Sequence, residues 1–345
     1  MVDFAGWEMP VQYSTITDEH NAVRQAAGLF DIAHMGRLKF TGADAGRFLD
    51  HLLTRNVATL KPGQVRYGLV TNQQGGILDD VLAYRFEEYY LLVVNASNRL
   101  KIVDWIESQR GGFNFQMEDI TTRQFMLALQ GPRALEILAP LAADNIGGLK
   151  YYRGCMTSVL ETSAIVTRTG YSGEDGFEVI LPAEQGTPLW ETLIERGQPL
   201  GLLPAGLGCR DTLRFEAAMP LYGHEMDETI DPFTAGLSFG VSLNRDDFIG
   251  KAALSAASTR TDRLHRIGLE LQGRRIAREG ALLFSGEENI GRVTSGTFSP
   301  TLQKSIAMGY VPGSFVDPGT ALEIDIRGKR EAAQVVELPF YRRAK

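Results

Sequence analysis

Two adjacent carboxylates, Asp79 and Asp80, are the first residues from which chemistry can be argued. They fall in residues 77–86, ILDDVLAYRF, which read as a strand. Side chains alternate faces along a strand, so the two acids cannot do the same job. Asp79 shares a face with Ile77, Val81, Ala83 and Arg85, whereas Asp80 shares one with Leu78, Leu82 and Tyr84. That second face is an apolar and aromatic wall around one acid, and a carboxylate there is costly to bury unless it has a partner or a task. For a lone Asp the plainer reading is a strand-end side chain bonded to the Gly75-Gly76 turn. Two other stretches shift the balance for Asp80. In RTGYSGEDGFE (168–178) a glycine-rich turn feeds a strand carrying Glu178. In PAGLGCRDTLRFE (204–216) glycines lead into a helix, whose first N–H groups would favour an anion. Arg210 and Arg214 lie four apart on one face of that helix. Arg214 reads as salt-bridged to Asp211 or Glu216, or to another strand, and Arg210, at the mouth of the turn, reads at least equally as a ligand contact.

The elements that must position these groups follow from pattern. Asn72-Gln73-Gln74-Gly75-Gly76 is a turn before the acid-bearing strand. Residues 89–95 form the next strand, and Asn95-Ala-Ser97-Asn98 offers N-cap residues to a helix over 99–109. A capping box at Thr15 predicts a helix over 18–27 ending at Gly28. Further strands are expected at 37–41, 65–70, 125–129, 159–167 and 177–181. Helices are expected at 43–54, from Pro132, and from Thr187. His51 on the 43–54 helix reads as solvated surface. From His265 onward six short alternating strands, separated by Gly, Pro and charged turns, predict an all-β barrel or jelly-roll-like module.

Composition narrows the function. The chain has 345 residues, 44% hydrophobic and 22% charged, which suits a soluble protein of two or three domains. The net charge of −7 argues against general nucleic-acid binding. No apolar run reaches membrane-spanning length, and residues 1–7 do not resemble a secretory signal. Two cysteines, Cys155 and Cys209, make neither a disulfide framework nor a thiolate metal set and suit a cytoplasmic location. Cys209 reads as a small buried residue. The five histidines show no metal-ligand spacing, so no metal site is expected.

With these residues in view, the chain resembles the folate-binding aminomethyltransferase (T-protein) family of the glycine cleavage system. The resemblance is carried, in order, by MVDFAGWEMPVQY (1–13), GLFDIAHMG (28–36), GGILDDVLAYR (75–85), VVNASN (93–98), RTGYSGEDGFE (168–178), PAGLGCRDTLRFEAAMPLYGHEMDE (204–228), DFIGKAAL (247–254) and TSGTFSPTLQKSIAMGYV (294–311). It departs from the family pattern at Ala33, where Ser is usual, and at Cys209, where Ala is usual, and it begins at the MVDF segment where most members have a longer lead. The resemblance implies an α+β protein of three domains in a cloverleaf around a folate cavity. Residues 1–36 and 121–228 would form one discontinuous ferredoxin-like domain, 37–120 a second, and 229–345 the C-terminal β domain. It implies Asp80 as the catalytic carboxylate and Glu178 as acceptor for a pterin edge. It implies Arg210 as a folate contact, with Met35, Tyr67, Leu82, Tyr84, Asn95, Tyr151 and Tyr171 walling the cavity. Tyr152 could stand in for Tyr151. The implied reaction moves an aminomethyl carbon from the dihydrolipoyl arm of glycine cleavage H-protein to tetrahydrofolate, with no nucleic-acid or membrane partner and a monomer as the default. Two other readings share the fold: a folate-dependent demethylase, and a folate-binding iron–sulfur assembly protein. The latter carries a cysteine signature that RTGYSGEDGFE lacks.

Overall fold

The computed structural model describes residues 1–344 and divides the chain into two compact units. The first holds residues 1–70, 79–210 and 245–248; the second holds 71–78, 211–244 and 249–345. In chain order the elements are β1 (Val2–Phe4), β2 (Trp7–Met9), α1 (Ile16–Gln25), β3 (Ala27–Asp31), β4 (Gly36–Thr41), α2 (Ala45–Leu52), β5 (Val65–Thr71), β6 (Ile77–Arg85), β7 (Tyr90–Val94), α3 (Arg99–Gln109), β8 (Gln116–Asp119), β9 (Gln124–Gln130), α4 (Ala134–Leu138), β10 (Gly154–Val159), β11 (Thr162–Thr167), β12 (Gly176–Pro182), α5 (Gly186–Gly197), β13 (Leu202–Pro204), α6 (Leu207–Glu216), α7 (Lys251–Ser258), β14 (Leu264–Leu271), β15 (Leu282–Ser285), β16 (Glu288–Ser299), β17 (Lys304–Pro312), β18 (Ala321–Asp325) and β19 (Arg330–Val336).

Two sheets carry the first unit. One has the order β5-β6-β7-β4-β8, and the other β10-β11-β12-β9-β3-β13. The six-stranded sheet is antiparallel except where β13 runs parallel to β3. Its core packs Leu29, Leu127, Leu129, Phe177 and Val179 against Ile137, Leu189 and Leu193 from α4 and α5. This is the inward face that strand alternation demands, covered by helices that each bury one stripe. Thr15 caps α1, its hydroxyl accepting from the Asp18 N–H at 3.1 Å.

The expected strand over 159–167 is a hairpin of β10 and β11. Leu160 and Glu161 turn it with φ of 48° and 60°. Tight hairpins need left-handed residues and usually use Asn or Gly, so this turn carries no compositional signal. Pro132 likewise does not open the helix: α4 starts two residues later, after Gly131, whose added Cβ would meet Ala26 O at 2.5 Å. Asn98 was expected as an N-cap, but its side chain makes no capping bond. His51 is half-buried, its ring stacked on Phe113 at 5.7 Å, and not simply solvated.

In the second unit β14-β17-β16-β15-β18-β19 closes into a six-stranded barrel, filled by Ile267, Leu269, Leu283, Val293, Ala307 and Ile324. Two buried carboxylates fix residues 211–244. Glu225 accepts from Arg214 Nη1 and Leu221 N, each at 3.0 Å, from Thr294 Oγ1 at 2.8 Å and from Ser295 Oγ. Glu216 accepts from Ser299 Oγ at 2.5 Å, Thr301 N at 3.1 Å and Thr301 Oγ1 at 2.7 Å. Arg214 is thus ion-paired to Asp211 as expected, with Glu225 in place of Glu216 as its second partner. Asn72 Oδ1 organises the turn before β6 by accepting from Gln74 N and Gly76 N, both at 2.9 Å. A Cβ on Gly76 would lie 1.8 Å from Glu228 O, so only glycine fits there.

Among the described residues no helix is long and apolar enough to cross a membrane, and no cluster of His, Cys, Asp or Glu could hold a metal ion.

Candidate active site

Strand β6 places Asp79 and Asp80 on opposite faces, and the two environments differ. Asp79 has no exposed surface and Asp80 is half-buried. Asp79 accepts from Asn95 N at 3.0 Å, Asn95 Nδ2 at 2.8 Å and Asn98 Nδ2 at 2.6 Å. Asp80 accepts from Asn95 Nδ2 at 2.7 Å and from Tyr67 Oη at 3.2 Å. Burial pushes both carboxyls above the usual range, and for Asp79 the charge of Asp80 adds to it. The Gly75-Gly76 turn is held by Asn72 instead, so neither acid serves it.

A second polar cluster forms around β12. Glu178 is buried and accepts from the Thr169 hydroxyl, which in turn lies 2.7 Å from that of Thr167. Burial raises the Glu178 pKa, while Thr169 and the Arg210 charge oppose the rise. Arg210 stands 4.9 Å over the Tyr171 ring, a cation–π distance, and feels Glu178. Tyr84 Oη is buried and faces Thr169, Thr167 and Glu178, but its geometry with them falls short of a hydrogen bond.

Tyrosines link the two clusters. Tyr67 is bonded to Asp80 and senses Tyr152 and Tyr171; Tyr152 senses Glu178 and Asp80. Tyr152, at φ 59°, is the residue turned toward the acids, and Tyr151 is 49% exposed, set edge-on against Tyr152 at 4.7 Å. Of the two tyrosines, Tyr152 is thus the one set beside the acids. The left-handed backbone at Tyr152 is unusual for a bulky residue and reverses which of the two neighbours faces inward. Met35 and Leu82 are half-buried.

Sequence reasoning missed His34 and Arg37. His34 is buried, 5.4 Å edge-on from Phe4, with Nδ1 unbonded. Burial, then the charges of Arg210 and Arg37, lower its pKa to about 3. Arg37 has no exposed surface and no carboxylate partner among its bonds. It donates to Ala33 O, Met35 O, Thr121 O and Gln124 O, fixing the segment that bears His34 and Met35.

The anion expected at the start of α6 is the protein's own. Glu19, with no exposed surface, accepts from Gly206 N at 2.9 Å, Ser14 N at 2.8 Å and Tyr13 N at 2.5 Å. Leu207 N and Gly208 N donate to Pro10 O and Val11 O. The helix start is therefore satisfied within the chain, and Arg210 lies one turn on. A cavity of about 260 Å³ lined by Phe40, Gly42, Arg47, Arg85 and Tyr90 shares none of these residues.

Comparison with known proteins defines the class. Residues 1–245 match the GCVT N-terminal domain, and residues 265–342 match the glycine cleavage T-protein C-terminal barrel domain. The chain is 46% identical to the aminomethyltransferase of Streptomyces coelicolor over 100% of its own length and 94% of that protein's. It is 48% identical to the aminomethyltransferase of Rubrobacter xylanophilus, over 99% of this chain and 91% of that one. The crystal structure of glycine cleavage system aminomethyltransferase T from Bartonella henselae superposes with a TM-score of 0.91 at 36% identity, covering 99% of this chain and 93% of that chain. The chain belongs to the glycine cleavage T-protein family of aminomethyltransferases.

Proposed function

We propose that this enzyme transfers the one-carbon unit of an aminomethyl group, borne on the dihydrolipoyl arm of glycine cleavage H-protein, to tetrahydrofolate. Ammonia leaves and 5,10-methylenetetrahydrofolate forms. The observation that carries the reading is the pairing of two carboxylates with separate duties in one tyrosine-lined cluster. Glu178 and Arg210 offer an acceptor and a cation to a flat heterocycle, and Tyr84 Oη and His34 Nδ1 are buried polar atoms that such a ligand can satisfy. To Asp80, bonded by Tyr67 and Asn95, this reading gives the handling of the proton.

The chemistry needs one such group. As the methylene carbon bridges two folate nitrogens, each loses its hydrogen. The carbon–nitrogen bond to the departing amine and the carbon–sulfur bond to the lipoyl arm break. One proton ends on ammonia and the other on the thiol. A carboxyl group that gives one proton to the leaving group and takes one from folate, in either order, closes the balance. A cytoplasmic site of action is part of this reading, in keeping with two free cysteines.

The test is turnover of purified protein with tetrahydrofolate and aminomethyl-loaded H-protein, following ammonia and methylenetetrahydrofolate together. Paired production is expected, and Asp80→Asn should lower it about 100-fold or more with folate binding retained. Tight folate binding with no transfer would sink the proposed donor.

A further inference from the structure

Asp79 lies off the reacting face, yet its geometry gives it a part in the reaction; this inference rests on the role proposed for Asp80. The Asn95 amide reaches both acids, 2.8 Å from Asp79 Oδ1 and 2.7 Å from Asp80 Oδ1, with Asp80 O at 3.2 Å. An amide nitrogen has two hydrogens, so Asn95 spends its side-chain donors holding the two carboxylates together. Asp79 has two further N–H donors, from Asn95 N and Asn98 Nδ2. Asp80 has, besides Asn95, the longer Tyr67 hydroxyl bond and its own backbone N–H, and no second side-chain amide.

The other groups facing Asp80 do not neutralise the pair. From β5 comes Tyr67, and from the segment before β10 comes Tyr152, both with pKa values raised by burial. Tyr171 bears on Tyr67, and Glu178 of β12 adds a further negative group through Tyr152. The cation in this region, Arg210 of α6, acts on Tyr171, Glu178 and His34. Two carboxylates held by one amide with no cation between them share a proton, because ionising both places like charges in a buried site.

We propose that Asp79 and Asp80 hold one proton between them, that Asp79 with its three N–H donors keeps the negative charge, and that this charge holds the proton on Asp80. Asp79 is then a positioning residue. It does not touch substrate; it makes Asp80 an acid able to give its proton to the departing amine and take one back from a folate nitrogen. Burial raises both carboxyls, which is the direction a shared proton requires; which acid carries it rests on the donors each one has.

The experiment is pH-difference infrared spectroscopy of the full chain without substrates, following the C=O band of a protonated carboxyl, assigned by its loss in Asp80→Asn. In the unaltered protein the band should persist toward neutral pH. Asp79→Asn removes the neighbouring charge and should lower its midpoint by about one pH unit or more. Asn98→Ala removes one donor from the anion and should move the midpoint the other way. Should Asp79→Asn fail to fold, the upward shift in Asn98→Ala decides the matter. A band lost at ordinary carboxylate pH, or a midpoint unmoved by either change, overturns the proposal. The titration needs neither H-protein nor folate: a shifted midpoint without turnover keeps the shared proton and refutes the proposed transfer, and turnover without a shift does the opposite.

Discussion

Glu19 gives the most direct quantitative prediction, because one buried carboxylate satisfies three backbone N–H groups and starts the helix that carries Arg210. Glu19→Gln keeps the size and one oxygen. That oxygen can still serve Tyr13 N and Ser14 N, at 2.5 and 2.8 Å. The new NH2 then faces Gly206 N, where Glu19 Oε2 had accepted at 2.9 Å. One charge-assisted bond is lost, about 1.5 to 3 kcal/mol, and two donors are left opposed in a buried place, about 1 to 3 kcal/mol more. The sum is about 2.5 to 6 kcal/mol. All three tryptophans, Trp7, Trp105 and Trp190, lie in the first unit with Glu19, so their fluorescence in urea reports on that unit. With a slope of about 2 to 3 kcal/mol per molar, the midpoint should fall by about 1 to 3 M. Folate affinity should fall with it, as Arg210 loses its fixed helix start. A midpoint within about 0.3 M of the unaltered protein would refute the reasoning that Glu19 is the anion of this helix.

Three further outcomes are expected. Glu178→Gln should weaken tetrahydrofolate binding about 10- to 100-fold by calorimetry, the worth of one charge-assisted bond; unchanged affinity would remove Glu178 from the pocket. Tyr152→Phe should alter turnover where Tyr151→Phe does not, and the reverse result would restore Tyr151 to the site. His34 is held neutral with a pKa of about 3, whereas the unfolded chain takes up a proton near pH 6.5. Its share of stability is therefore full above about pH 6.5 and is lost as pH falls toward 3, at about 1.4 kcal/mol per pH unit. In His34→Gln that loss should be missing when urea midpoints are compared at pH 7 and pH 5. The raised pKa values of Asp79 and Asp80 act in the opposite direction and cancel in the comparison.

Much of this was legible in the chain. Strand alternation separated Asp79 from Asp80, and the barrel strands announced themselves by period and turn residues. What escaped did so for local reasons. The Leu160-Glu161 and Tyr152 turns use left-handed backbone without glycine, and propensity gives no warning of that. Asn98 carries the residue type of a cap, yet a buried acid from another strand competes for its amide. His34 sits in an apolar stretch whose pattern shows burial but not which atoms stay unbonded. Glu19 lies in the first turn of α1, and only the fold brings Gly206, 187 residues away, to its oxygen.

Glu216 and Glu225 impose an order on manufacture. Glu225 meets Thr294 and Ser295 across 69 and 70 residues of chain, and Glu216 meets Ser299 and Thr301 across 83 and 85. A ribosome adding about 5 to 20 residues each second leaves these acids without their hydroxyl donors for roughly 4 to 17 s. During that wait Glu225 can already pair with Arg214 and the Leu221 N–H, both made before it, while the hydroxyl donors of both acids are still to come. A chain stopped short of Thr294 would lack Thr294, Ser295 and Ser299, the β16 hydroxyls that tie both acids to the barrel.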